Sequence, residues 1–128
     1  MLYLCKKIYQ MEITKQDVER FLANFHTKMQ VFNIVFRDDR KKNVDALAEL
    51  DIKGKYRETV IMGLEYWDYV DGPIVDTLNQ MGDMWVFGKD VKGREVYIKI
   101  SMGRPGSNTI CISFHIAEFP LVYPFKDD

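Results

Sequence analysis

A single change of hydrophobic period limits what this chain can fold into. Up to Leu64 the apolar residues recur mainly at three- and four-residue spacing, and after Gly82 they alternate with polar ones. The first pattern makes an amphipathic helix and the second a strand with one buried face. Helices followed by a run of strands predict an α+β fold, with N-terminal helices packed on one face of a small, mainly antiparallel sheet.

Thr14 followed by Asp17 is a capping-box-like start, and Val18, Phe21, Leu22, Phe25 and Met29 then mark one face of a first helix. The β-branched and aromatic run Val31 to Phe36 predicts a strand, closed by the polar run Arg37-Asp38-Asp39-Arg40. Asp38 or Asp39 is then placed to cap a second helix whose buried face carries Val44, Leu47 and Ala48. Gly54 breaks that helix, and Val60, Ile61 and Leu64 mark a short third one. Glu65 to Asp83 reads as an ordered loop around Gly72-Pro73, with one helical turn near Val75 to Asn79. Three strands follow, Met84 to Phe87, Glu95 to Met102 and Thr109 to Ile116, separated by turns at Gly88, Gly93, Gly103 and Gly106.

The 128 residues suit one domain spanning 1–128, long enough to bury a core without disulfides or metals. Met1 to Gln10 reads as an N-terminal extension and Met11 as an alternative start. Lys6 and Lys7 interrupt the apolar stretch there and no small-residue cleavage site follows, which argues against a secretory signal. No apolar run approaches the roughly 18 to 20 residues that a membrane span needs. Cys5 and Cys111 are too few and too far apart to read as a disulfide framework, so a reducing cytoplasm is the expected location. A formal net charge of −1 argues against wholesale binding to polyanions. A local basic site is still allowed, because Lys89, Lys92, Arg94, Lys99 and Arg104 outnumber Asp90 and Glu95 in that stretch, though a solvated surface explains those charges equally well.

Alternation assigns Val96, Ile98 and Ile100 to the buried face and Glu95, Tyr97, Lys99 and Ser101 to the other. In the last strand Ile110, Ile112, Phe114 and Ile116 form the matching apolar set, leaving Cys111, Ser113 and His115 opposite. If the two strands are neighbours, Tyr97, Lys99, Ser113 and His115 share a polar face. That set suits metal-free cleavage of RNA, in which a base takes the 2′-hydroxyl proton, a cation stabilises the phosphorane charge and an acid protonates the leaving 5′-oxygen. Histidine ordinarily titrates near neutral pH, so His115 is the expected acid or base, with Lys99 or Arg104 as the fixed charge. Trp85, Phe87 or Tyr97 can stack a base, and Lys89 and Ser113 complete the expected RNA contacts. The bland reading is that these are ordinary solvent-face residues of a half-covered sheet.

Weaker candidates are an oxygen-rich metal site of Asp68, Asp71 and Asp76 with His115 and Glu118, whose spacing matches no dedicated motif, and a nucleophilic Cys111, which has no activating base beside it in sequence. His26 reads as a helix-surface residue.

From Val44 to the C-terminus the chain resembles the MqsR family of toxin–antitoxin ribonucleases. The resemblance lies in the ordered series VDALAELDI at Val44 to Ile52, VIMGL at Val60 to Leu64 followed by WDY, MWVFGKDV, GREVYIKI at Gly93 to Ile100 and CISFH at Cys111 to His115, with the tail AEFPLVYPF. It implies a RelE-like fold and a growth-regulating toxin, a hydrolase that cuts single-stranded mRNA without metal or cofactor. It also implies neutralisation by a cognate antitoxin, with DNA reached only through that antitoxin. Position by position, Tyr97 matches an active-site tyrosine and His115 falls where the type member has a functional lysine. Asp71 and Val86 stand where the family carries a lysine and a glutamine, and the second match places Val86, not Trp85 and Phe87, on the active face. The leading expectation is thus an endoribonuclease using His115, Tyr97 and Lys99. The alternative is a catalytically inactive RNA- or protein-binding module on the same fold.

Overall fold

The computed structural model describes residues 13–76 and 82–127. Thr14 sets the first boundary: its hydroxyl accepts the Asp17 N–H at 3.2 Å while the Asp17 carboxylate accepts the Thr14 N–H at 2.9 Å. Two amides that the helix cannot pair are satisfied in this way. Helix α1 (Lys15–Phe32) follows and buries Val18, Phe21, Leu22, Phe25 and Met29. It runs through Val31 and Phe32, which were expected in a strand, and stops at Asn33, where φ is 67° and the N–H still bonds Met29 O. Asparagine tolerates that left-handed turn, and Asn108 secures it by donating to Phe32 O. Only Ile34–Phe36 is extended, as β1.

Helix α2 (Lys41–Leu50) is not capped by an aspartate. Its N-cap is Arg40, with no side-chain bond to the helix, because both aspartates are otherwise engaged. Asp38 takes a two-pronged bond from Arg57 at 2.8 and 3.0 Å, and Asp39 takes one from Arg37. The buried residues of α2 are Asn43, Ala46 and Leu50, while Val44 is exposed, so the expected face is rotated by about a residue. Helix α3 (Tyr56–Met62) buries Val60 and Ile61, with Leu64 just beyond it, and lays the Arg57 guanidinium over the Phe36 ring at 3.9 Å.

The segment expected as a loop contains a 3-10 turn (Tyr66–Asp68) and a strand, β2 (Tyr69–Ile74). Two register shifts against its neighbour and the sequence Gly72-Pro73 break the alternation that would have revealed it. Of the turn expected near Val75 to Asn79, Val75 and Asp76 lie outside regular structure and the remainder lies outside the described residues. Strands β3 (Met84–Val91), β4 (Arg94–Ser101) and β5 (Thr109–Ile116) form the antiparallel meander that alternation indicated. Lys92 and Gly93, with φ of 53° and 83°, make the tight turn between β3 and β4. Gly88, expected in a turn, lies inside β3.

The five-stranded sheet has the order β1-β5-β4-β3-β2, with β1 parallel to β5 and the other pairings antiparallel. The helices cover one face: Val96, Ile98, Ile100, Phe87 and Phe114 pack with the α1 stripe in one core. Among the described residues no helix is long and apolar enough to cross a membrane.

Cys111 belongs to that core. It is 1% exposed, and burial pushes its thiol up to about 12. A thiolate is the reactive species, so in a Cys5→Ser background the native protein should resist a disulfide reagent at pH 8 and react only on unfolding. Stoichiometric labelling of the native protein at the rate of a free thiol would contradict this burial.

Candidate active site on the sheet face away from the helices

The pairing of β4 with β5 decides which side chains meet. Tyr97 lies directly opposite His115, Ile98 opposite Phe114 and Lys99 opposite Ser113, but Ile100 lies opposite Cys111. Ile112 is the extra residue of a β-bulge, and one extra residue exchanges the faces on either side of it. Phe114 and Ile116 therefore keep the expected apolar face, whereas Cys111 turns into the core and Ile110, opposite Ser101, turns away from it. Asn43 of α2 fixes the bulge. Its Nδ2 donates to Arg37 O and to Ile112 O, both at 2.9 Å, and its Oδ1 accepts the Phe114 N–H at 3.0 Å.

Beyond the bulge the phenol and the imidazole stack, with centroids 5.3 Å apart and planes 16° from parallel, and both residues are partly solvent-exposed. His115 Nδ1 lies 3.0 Å from Ile116 O. A carbonyl only accepts, so this bond places the proton on Nδ1 and leaves Nε2 as the nitrogen that can take or give one. Lys99 Nζ is 6.0 Å from the Tyr97 ring centroid. Burial, then the charge of Arg40, holds the Lys99 ammonium below the usual lysine range. The Tyr97 phenol is held above its ordinary value by burial and then by Asp71, against a smaller opposing pull from Arg40.

Arg40 is the site residue that sequence reasoning passed over. It stands in a polar run that looked like a strand terminator, and nothing in its spacing announces a role. Its Nη1 donates to Ile112 O at 3.1 Å and to Ser113 Oγ at 3.2 Å, which aims the guanidinium at the bulge beside Lys99. Ser113 shares the face but is 2% exposed, so its hydroxyl supports Arg40 instead of offering itself to RNA.

The remaining expected residues lie elsewhere. Val86 lies opposite Lys99 in the β3–β4 pairing, which puts Trp85 opposite Ile100 and Phe87 opposite Ile98, on the core side. Trp85, half-buried, stacks on Phe21 at 4.4 Å and Phe87 is fully buried, so neither ring is presented on the Tyr97–His115 face. Their assignment to the polar face is corrected. Nothing polar alternates within Met84-Trp85-Val86-Phe87 to orient the strand, so only the pairing reveals it. Lys89, opposite Val96, points the same way and is engaged by Asp68 at 3.1 Å. Arg104 is in the turn beyond β4, exposed, its carbonyl accepting from Lys28 at 2.7 Å. Among the described residues no three potential metal ligands gather, Glu118 being paired with Lys42 and Asp68 with Lys89.

On the other flank, residues 117–127 return across the face. Glu95 Oε1 accepts the Leu121 N–H at 3.0 Å and Oε2 the Tyr123 hydroxyl at 2.8 Å. Gly88, opposite Tyr97, makes room for this strap, since a Cβ there would collide with the Tyr123 hydroxyl and a Leu121 methyl. The site is thus a stacked Tyr97–His115 pair with cations on one side and the strap on the other. No protein-family model, curated protein or solved structure matches this chain.

Proposed function

We propose that the chain is a metal-independent endoribonuclease acting on single-stranded mRNA, a toxin of the MqsR kind on a RelE-like fold, held in check by a cognate antitoxin. The observation that carries this reading is the direct opposition of Tyr97 and His115, ring on ring, beside two cations. In the neutral imidazole Nε2 takes the 2′-hydroxyl proton, and the 2′-oxygen attacks phosphorus. Arg40 and Lys99 hold the non-bridging oxygens, and the Tyr97 hydroxyl, kept protonated by its surroundings, donates to one of them. Lys99, its ammonium weakened by burial and by Arg40, gives its proton to the departing 5′-oxygen. The products are a 2′,3′-cyclic phosphate and a 5′-hydroxyl.

Induced expression in bacteria, followed by mapping of RNA 5′ ends, tests the reading. Growth arrest and new 5′ ends are expected from the wild type and their loss from His115→Ala and Tyr97→Phe. Folded wild type that neither arrests growth nor cuts RNA would leave the alternative, an inactive binding module, which the negative charge of Asp71 near Tyr97 favours.

Lys99 supplies a pH prediction with a definite sign. A lysine is charged below its pKa, and this one is lowered, so the lysine-dependent rate should fall on raising the pH before an ordinary lysine would lose its proton. Lys99→Arg should keep RNA affinity and lose cleavage by about 10²-fold or more, the usual contribution of a positioned acid. An arginine variant that cuts as fast as the wild type would reduce Lys99 to a fixed charge.

A further inference from the structure

The strap carries the most exposed aromatic side chain among the described residues. Phe119 is 77% exposed, yet the backbone on either side of it is pinned. Before it, the Ala117 N–H bonds Glu95 O at 2.9 Å and Glu118 pairs with Lys42. After it, Leu121 and Tyr123 are held by the Glu95 carboxylate, and Phe125 packs on Tyr69 with centroids 5.4 Å apart. Pro120 follows directly and restricts Phe119 to extended conformations. A large apolar ring is therefore displayed to water on a segment that has already surrendered its freedom, the condition under which a binding contact loses least entropy.

Its position relative to the reacting pair is also defined. Phe119 follows His115 by four residues, and the intervening Ala117 is tied by its N–H to Glu95 O, two positions before Tyr97 on the same strand. Of the sheet aromatics expected to stack a base, Phe87 is in the core and Trp85 packs against it on the helix side, while Tyr97 already stacks on His115. We propose that Phe119 is the stacking platform for one nucleobase of single-stranded RNA, next to the phosphate that the Tyr97–His115 pair engages. This deepens the ribonuclease reading and rests on it. A phosphate held by Arg40 and Lys99 brings its neighbouring base toward the strap, and a flat ring accepts any base because each has a π-face. The strap thus acts as a binding wall beside the site, indifferent to base identity, more than as a cover.

The probe is a pool of randomised hexanucleotides with 2′-fluoro riboses, which lack the attacking hydroxyl and remain intact. Phe119→Ala should weaken its binding roughly five- to hundredfold, the range found for loss of one stacked base. Phe119→Trp should bind as the wild type does, its added emission quenched at saturation, and Val122→Ser, altering another exposed strap residue, should change nothing. Equal affinity in Phe119→Ala and wild type, or unquenched Trp emission in the saturated complex, would overturn the proposal and leave Phe119 as a contact for a protein partner. The two readings fail separately. A wild type that binds the pool through Phe119 but cuts no RNA removes the catalysis and keeps the platform. One that cuts RNA with unchanged KM in Phe119→Ala removes the platform alone, and one that binds no oligonucleotide removes both.

Discussion

Asn43→Ala is expected to lower the stability of the fold by about 3 kcal/mol, because buried groups at the bulge lose their partners. For a domain this size that corresponds to a fall in Tm on the order of 10 °C. Asn43 is 2% exposed and makes three hydrogen bonds, to Arg37 O, to Ile112 O and from the Phe114 N–H. Arg40 still donates to Ile112 O in the variant, but the Phe114 amide has nothing to replace Oδ1. Asn43→Asp should be no better, since it keeps the acceptor for Phe114 while setting a carboxylate against two carbonyl oxygens. The bulge also decides which face Cys111 takes relative to Ser113 and His115, so slippage in these variants should make Cys111 reactive toward thiol reagents. Denaturant unfolding measures the first effect and thiol labelling of the native protein the second, both in a Cys5→Ser background. A loss below about 0.5 kcal/mol, the level of an ordinary surface substitution, would mean that the bulge holds without α2.

The second large effect concerns chemistry. His115→Ala should lower kcat/KM for RNA by about 10² to 10⁴, the usual contribution of a positioned acid or base, with the fold retained because the ring is partly exposed. Tyr97→Phe keeps the ring stack and removes only the hydroxyl. It should lose about 10- to 100-fold, the worth of one hydrogen bond to a charged group. The pair should not be additive, since each ring holds the other in place. Single-turnover cleavage of a defined RNA by the four combinations would show this. His115→Ala within about threefold of wild type would remove the imidazole from the mechanism.

Much of this architecture was legible where one physical signal acted alone. The Thr14–Asp17 box and the α1 stripe specify a helix boundary and a buried face without help from elsewhere. Strand β4 alternates cleanly, so Tyr97 and Lys99 could be separated from Val96, Ile98 and Ile100. The meeting of Tyr97 and His115 followed from the neighbouring meander strands and the faces they present.

What escaped was set by pairing between distant segments. Asn43 looks like a surface residue of an amphipathic helix until the Ile112 bulge supplies a carbonyl and an amide, and Arg37 a second carbonyl, within its reach. Strand β2 is irregular in its own pattern and is defined by the β3 edge. The core side of Trp85 and Phe87 depends on Val86 lying opposite Lys99, which no local periodicity in four consecutive apolar residues can express. Arg40 enters the site only because the start of α2 lies against β5. Long-range register, more than local propensity, assembled the cationic side of the site.

The most direct measurement is the cleavage product itself. A short RNA carrying a mapped cut site is incubated with excess protein in chelator, beside the same oligonucleotide with a single 2′-deoxy sugar on the 5′ side of the scissile phosphate. The expected result is a 2′,3′-cyclic phosphate and a 5′-hydroxyl from the RNA and no cut in the deoxy substrate. Cleavage of the deoxy substrate, a 5′-phosphate product, or activity that vanishes in chelator and returns with a divalent ion would contradict a reaction carried by the Tyr97–His115 pair.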